Sequence, residues 1–304
     1  MITYVHGDLF TSPARVLVNP VNTVGTMSAG VSEEFKQVYP AMFAQYQATC
    51  EADSLAVGQA FLYKTPHKWI LNLPLKKHYR AQVKLEAVEL ALRKIASLYA
   101  DHNFTSISLP ALGVGDGIAN VEEIKPLLNA YLGNLPIMCY VHLPADSRLS
   151  ESRHNITTLS KWLLGTPQDV TFETFWRGVS SILRRHPTMT TLETGTSFET
   201  KFRRDENNPK LMSVKIIPQD GETLFIPQTL LRDLWQYLLI SGYAHPRHFP
   251  GGLDTHGEAL VTVLSKLSYV RPLLLQPADR NAAIGVQYIP PAERETAVVT
   301  GELS

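Results

Sequence analysis

The residues of this sequence best suited to chemistry stand directly after short apolar runs. Gly7-Asp8-Leu9 follows the run from Ile2 to Val5. A glycine there lets the backbone approach a ligand, and an aspartate past a strand end accepts a hydrogen bond from an adenine-type amino group. The same residues also make a simple turn. A second stretch runs Val18-Asn19-Pro20-Val21-Asn22-Thr23-Val24-Gly25-Thr26-Met27-Ser28-Ala29-Gly30-Val31. Here a β-branched run passes through two asparagines into spaced glycines ahead of a helix. Such a loop offers backbone N–H groups to an anion, aided by the partial positive charge of the helix start. Asn19 and Asn22 both donate and accept, which suits ribose hydroxyls. Taken alone, a glycine-rich loop is as readily a structural turn.

A third stretch, Leu109-Pro110-Ala111-Leu112-Gly113-Val114-Gly115-Asp116-Gly117, repeats the pattern and suits a second phosphate or a distal ribose. Two such loops at the carboxyl ends of parallel strands arise together by chance far less often than one. Finally, Asn72-Leu73-Pro74-Leu75-Lys76-Lys77-His78-Tyr79-Arg80 follows the apolar run Trp69 to Leu73. By spacing alone its cations read as a solvated basic turn.

Positioning these loops requires strands that alternate with helices. Strands are predicted at Ile2 to Val5, Val16 to Val18, Trp69 to Leu73, Ser106 to Leu109 and Ile137 to His142. Helical spacing is expected over Val31 to Tyr39, over Val83 to Ala100 and over Glu122 to Leu132, where Pro126 sits early enough for a first turn. Alternation of this kind implies crossover units and a largely parallel sheet covered on both faces. An α/β domain over 1–145, a linker over 146–160, a C-terminal α+β domain over 161–280 and a polar tail over 281–304 follow as the expected organisation.

Bulk properties narrow the class. The chain has 304 residues, with Lys plus Arg and Asp plus Glu at 28 each, so a globally basic nucleic-acid-binding surface is excluded while a local patch is not. Cys50 and Cys139 show no paired spacing and read as reduced thiols. Met1 to Phe10 shows no basic stretch followed by a long apolar one, and no run of roughly 20 apolar residues occurs, so no signal peptide and a soluble cytoplasmic protein without membrane association are expected. His245, His248 and His256 lack matching Cys or carboxylate spacing, and no metal site is expected.

Gly7-Asp8-Leu9, the Asn19 to Val31 loop and Leu109 to Gly117, in this order, resemble a macrodomain, and within that family the branch of DarG antitoxins and terminal ADP-ribose glycohydrolases. The resemblance covers about the first 143 residues and implies a three-layer α/β/α fold with a mixed sheet and an ADP-ribose ligand, with no cofactor. It places Asp8 and Leu9 at the adenine and Asn22 near the distal ribose, while Asn19 stays a ligand-binding candidate from its own side-chain chemistry. Gly25, Met27, Ser28, Gly30 and Val31, with Pro110, Leu112, Gly113, Val114, Gly115, Gly117 and Ile118, would clasp the pyrophosphate and adjoining ribose. Ser28 stands where the family usually carries glycine. The basic stretch resembles the branch's Lys-Lys-His-Trp-Arg, which makes Lys76 the catalytic candidate, with Lys77 the alternative if the register slips by one. A lysine there attacks C1 of the distal ribose or stabilises charge as the glycosidic bond breaks. Asp116, one position ahead of the strict match occupied by Gly117, is the second candidate and equally a cap for the following helix. His78 and Tyr79 could stack on a modified base.

The implied function is removal of ADP-ribose from nucleic acid, with an ADP-ribosyltransferase toxin as a possible partner. The alternatives are a non-catalytic ADP-ribose or nucleotide-signal binding protein, or an antitoxin acting through its C-terminal domain. In that domain a helix is expected over Phe172 to Arg185, a hairpin at Met212 to Pro218 and Leu224 to Ile226, and helices over Gln228 to Ser241 and His256 to Ser268, with an extended run from Val270 to Leu275. These elements suit a winged-helix-like module. Arg184, Arg185, Lys201, Arg203 and Arg204 are either ordinary surface charge or the lining for a nucleic-acid backbone.

Overall fold

A computed structural model describes residues 1–145, 149, 156–165, 168–204, 212–219 and 221–291. The chain divides into two units, one comprising Met1–Thr166 with Pro277–Arg280, the other Pro167–Gln276 with Asn281–Ser304.

In the first unit the elements run β1 (Ile2–His6), β2 (Val16–Asn22), α1 (Gly30–Val38), α2 (Pro40–Glu51), β3 (Phe61–Lys64), β4 (Trp69–Lys76), α3 (Leu85–Asp101), β5 (Ser106–Pro110), α4 (Lys125–Leu132), β6 (Met138–Leu143) and α5 (Ile156–Leu164). Its strands lie side by side in the order β1-β6-β5-β2-β4-β3. All neighbouring pairs are parallel except β3 on β4, which is antiparallel. Side chains alternate across such a sheet, and both faces are apolar here. Val16, Val18, Leu71 and Leu73 point to one core with Val88, Leu92 and Ile95 of α3 and Leu128 of α4. Leu17 and Ile70 point to the other, with Phe35 of α1, Met42 and Tyr46 of α2, and Leu159 and Leu163 of α5. This is the three-layer α/β/α arrangement. Each fully buried leucine or isoleucine in these cores contributes about 1.5–3 kcal/mol.

Three elements of this unit fall outside the sequence-based expectations. Helix α2 starts with Pro40 at its first position, where the missing N–H is harmless. The contiguous run Pro40-Ala41-Met42-Phe43-Ala44 shows no one-sided spacing, which hid the helix. Strand β3 is a short edge strand without alternating burial. Helix α5 lies in the expected linker, and residues 146–148 and 150–155 of that linker are outside the described residues. Leu159 and Leu163, four apart and both buried, fasten α5 into the α1/α2 core, so the first unit extends past residue 145.

The second unit runs α6 (Phe172–Arg185), β7 (Thr188–Thr190), β8 (Ser197–Arg204), β9 (Met212–Pro218), β10 (Leu224–Pro227), α7 (Gln228–Ser241), β11 (Tyr243–Ala244), α8 (Gly257–Leu264), β12 (Val270–Pro277) and β13 (Ala283–Tyr288). β7 to β10 form an antiparallel meander, and β13 pairs antiparallel with both β11 and β12. Trp235 of α7 centres the core. Its ring stacks on Phe175 at 4.5 Å and its Nε1 donates to the Val170 carbonyl at 3.1 Å. The winged-helix detail is not confirmed by this element order. Strand β13 corrects the expected tail at 281–304. Ile284, Val286 and Tyr288 are buried, so this segment is core, while 292–304 lie outside the described residues.

Candidate active site

Because β1, β6, β5, β2 and β4 are parallel, their carboxyl ends share one edge of the sheet. The loops after β1, β2, β4 and β5 therefore gather there, which brings all the motif residues together. Ligands of open α/β sheets collect at this edge.

Lys76 ends β4, and its Nζ forms an ion pair with Asp116 from the loop after β5. That loop must pass over the end of β2 to do so, since β2 lies between β5 and β4. Val83 fixes its path. The Val83 N–H donates to the Asp116 carbonyl at 2.7 Å, and Val83 packs beneath Gly113. Asp116 does not cap the following helix, because the 3-10 turn at Val121–Glu123 is capped by Asn120. Lys76 is 14% exposed and Asp116 48%, so the pair sits at an opening with the lysine on its inner side. Lys77 is exposed and has no described ion-pair partner.

Beside Lys76, His78 and Tyr79 rings lie 4.2 Å apart, and the Arg80 guanidinium sits 5.4 Å from the Tyr79 ring. All three side chains are exposed, the two rings tilted 31° to one another.

The loop after β2 is held by Asn22. Its Nδ2 donates to the Thr26 carbonyl at 2.7 Å, and its Oδ1 accepts from the Thr26 N–H at 3.3 Å. The Tyr46 hydroxyl donates to the Asn22 carbonyl at 2.5 Å. Met27 is buried, whereas Ser28, Ala29 and Gly30 are exposed at the start of α1. Ala29 supplies no side-chain cap, so this exposed helix start keeps N–H donors of the kind that bind anions.

Asn19 lies within β2. It is fully buried and donates to Asn72 Oδ1 at 2.9 Å across the β2–β4 pair, with Met27 Sδ at 3.8 Å. It braces the strands beneath the loop. Leu9, Leu112 and Ile118 are likewise buried. Asp8 caps a 3-10 turn by accepting from the Phe10 N–H at 2.9 Å. Pro110, Gly113 and Val114 are half-buried, and Gly115 and Gly117 are exposed along the outer loop. Gly25 is buried against α2, and Val31 is half-buried in the first turn of α1.

His142 was not among the residues expected from the sequence. Its Nδ1 lies 3.0 Å from the Gly7 carbonyl, and its own carbonyl accepts from the Ala111 N–H at 3.1 Å. One residue thus joins the first and third motif loops. Nothing in its spacing singles it out. Burial pulls its pKa from 6.5 down to about 4, with the Gly7 hydrogen bond opposing. Unfolded, it takes up a proton near 6.5 and so binds more protons than the folded chain below that pH. Stability is therefore expected to be intact above about pH 6.5 and to fall by about 3 kcal/mol towards pH 4. Denaturation of wild type and His142→Gln across this window checks it, because carboxylate effects cancel in the difference. Parallel curves would refute the assignment.

Residues 18–127 match the family model described as Macro domain. The N-terminal unit is a macrodomain. A curated relative named DNA ADP-ribosyl glycohydrolase, from Mycobacterium tuberculosis, is 36% identical over 140 residues, which are 45% of this chain and 40% of that protein. One of the same name from Thermus aquaticus is 32% identical over 157 residues, covering 50% of this chain and 44% of that one. A Thermosipho africanus protein named DNA ADP-ribosyl transferase-DNA ADP-ribosyl glycohydrolase fusion protein is 28% identical over 169 residues, 49% of this chain and 44% of that protein. The solved macrodomain of Thermus aquaticus DarG aligns with TM-score 0.46 and 34% identity over 47% of this chain and 99% of that one. The chain thus spans about two-fifths of the length of the curated relatives it matches. No described helix is long and apolar enough to cross a membrane.

Proposed function

We propose that the macrodomain of this chain is an ADP-ribosyl glycohydrolase acting on ADP-ribosylated DNA. The Lys76–Asp116 pair at the loop-lined edge carries the reading, because a binding pocket alone has no need of a nucleophile joined to a proton acceptor. In the proposed complex the exposed start of α1 and the outer loop of Gly113, Gly115 and Gly117 hold the pyrophosphate. Asp8 faces the adenine, and Asn22 keeps its loop against the distal ribose. Asn19 acts through Asn72, as support.

In the overall reaction a water oxygen bonds to C1 of the distal ribose, the C1–base bond breaks, and the base leaves carrying the proton. Lys76 has two routes to accelerate it. Its amine, having given a proton to Asp116, displaces the base from C1, the base leaves with that proton, and water then breaks the N–C1 bond to free both the lysine and the ADP-ribose. Alternatively its ammonium stabilises negative charge building in the transition state while Asp116 draws the proton from water. His78 and Tyr79 would stack on the modified base, and Arg80 would meet the adjoining phosphate.

The fusion of transferase and glycohydrolase in the name of the Thermosipho africanus relative supports a further part of this reading. The modification removed here would be one that an ADP-ribosyltransferase toxin installs, making the chain its antitoxin. Incubation with ADP-ribosylated single-stranded DNA should release free ADP-ribose. Tight calorimetric binding of ADP-ribose with no release would instead establish a reader.

A further inference from the structure

The second unit carries a cationic face that the macrodomain chemistry does not use. Along α6, Trp176, Arg177, Ser180, Ser181, Arg184 and Arg185 line a cleft of about 420 Å³. The spacing places Arg177 and the Arg184-Arg185 pair two turns apart on one side of the helix, roughly 10 Å at 1.5 Å per residue. Among the described residues none of these three arginines meets a carboxylate. Arg177 and Arg185 donate only to the backbone carbonyls of Glu173 and Ser181, within their own helix.

Aromatic rings lie between the charges. Trp176 meets Phe202 of β8 edge-on at 6.1 Å, and the Arg184 guanidinium lies 5.6 Å from the same Phe202 ring. The neighbours of Phe202 on β8 point to the other side of the meander, where a second cluster begins. There Phe225 of β10 is 47% exposed, with Lys215 at 5.2 Å and Arg203 at 5.8 Å from its ring. Opposite Lys215 in the register stands Lys201, whose ion pair with Glu199 brings the one described carboxylate of this cluster.

We infer that the α6 face, Arg177, Arg184 and Arg185 around Trp176, binds a single strand of nucleic acid. The roughly 10 Å between Arg177 and the Arg184-Arg185 pair is long enough to reach more than one phosphate of a strand. Planar guanidiniums engage phosphate oxygens in pairs, and an indole accepts any base face without reading sequence. An acidic protein segment would satisfy the arginines equally but leaves the interleaved rings without a role. The neutral net charge of the chain agrees with a local footprint of this kind.

The test uses the full chain and a fluorescent, unmodified oligothymidylate, so its result does not depend on whether the macrodomain hydrolyses anything. Anisotropy titrations across salt concentrations are expected to show binding that weakens as salt rises. The triple variant R177Q/R184Q/R185Q should weaken it at least tenfold and flatten the log–log salt slope by about 2, at roughly 0.7 for each phosphate no longer neutralised. Trp176→Leu should weaken binding with the slope unchanged. Circular dichroism melting establishes that each variant is folded. The inference is overturned if wild type does not bind the oligonucleotide. It also fails if the triple variant, folded, binds as wild type does. Equal competition by polyglutamate, with Trp176→Leu silent, would assign the face to an acidic protein instead.

Discussion

Lys76→Ala is expected to slow ADP-ribose release from modified single-stranded DNA by about 10²–10³-fold, the usual loss for removal of one preorganised charge at a reacting centre. Stability should hardly change, since a partly exposed ion pair contributes about 0–1 kcal/mol. ADP-ribose binding should persist, because the Asn22, Thr26 and Val83 hydrogen bonds that hold the loops for the pyrophosphate do not use the Lys76 side chain. Asp116→Asn should also be slow. If the two groups act as a unit, the double variant will be no slower than Lys76→Ala, as non-additivity requires. Single-turnover release rates, paired with ADP-ribose calorimetry, measure this. A Lys76→Ala protein with the wild-type rate ends the catalytic reading and leaves that of a binding protein.

The second large effect is structural and separates two glycines two residues apart. Gly117 has φ +111°, and a Cβ there would stand 2.4 Å from the Val83 carbonyl oxygen and 2.9 Å from its nitrogen. Backbone cannot yield as a side-chain tip does. Gly117→Ala is expected to lift the loop off Val83, break the Val83–Asp116 hydrogen bond and carry Asp116 away from Lys76. Left-handed strain of about 1–2 kcal/mol adds to a clash of about 1–3 kcal/mol, and ADP-ribose affinity should be largely abolished. Gly115, at φ +80° with no atom within 4 Å of such a Cβ, carries the strain alone. Gly115→Ala should cost about 1–2 kcal/mol and keep much of the affinity. Thermal unfolding and calorimetry of the two variants test the difference. Equal losses would show that the approach to Val83 does not hold the loop.

Much of the first unit was legible because its pattern is local. Val16 to Val18 alternates between two apolar faces, and the spacing of Val83, Ala87, Leu90, Ala91, Lys94 and Ile95 predicts α3, of which Ala87, Ala91 and Ile95 are buried while Leu90 is exposed. Where the pattern is not local, the sequence is silent. Leu159 and Leu163 look like any short apolar pair until α1 lies beside them, and Ile284, Val286 and Tyr288 become a strand only against β12. Propensity is a weak prior in such segments, and burial by distant elements decides.

The same division runs through the candidate site. Sequence by itself determined that a Gly-Asp turn and two glycine-rich loops with anion-binding composition follow strands, and the resemblance, through the basic stretch after Leu73, singled out Lys76. Only the tertiary structure decided that Asp116 meets Lys76 rather than capping a helix, that Asn19 is a buried brace, and that His142 joins two of the loops. The physical reason is that a side chain's partner lies across the sheet, 40 residues away for Lys76 and 135 for the His142–Gly7 contact. Composition and spacing specify which groups a segment offers, while the parallel strand order specifies which of them meet.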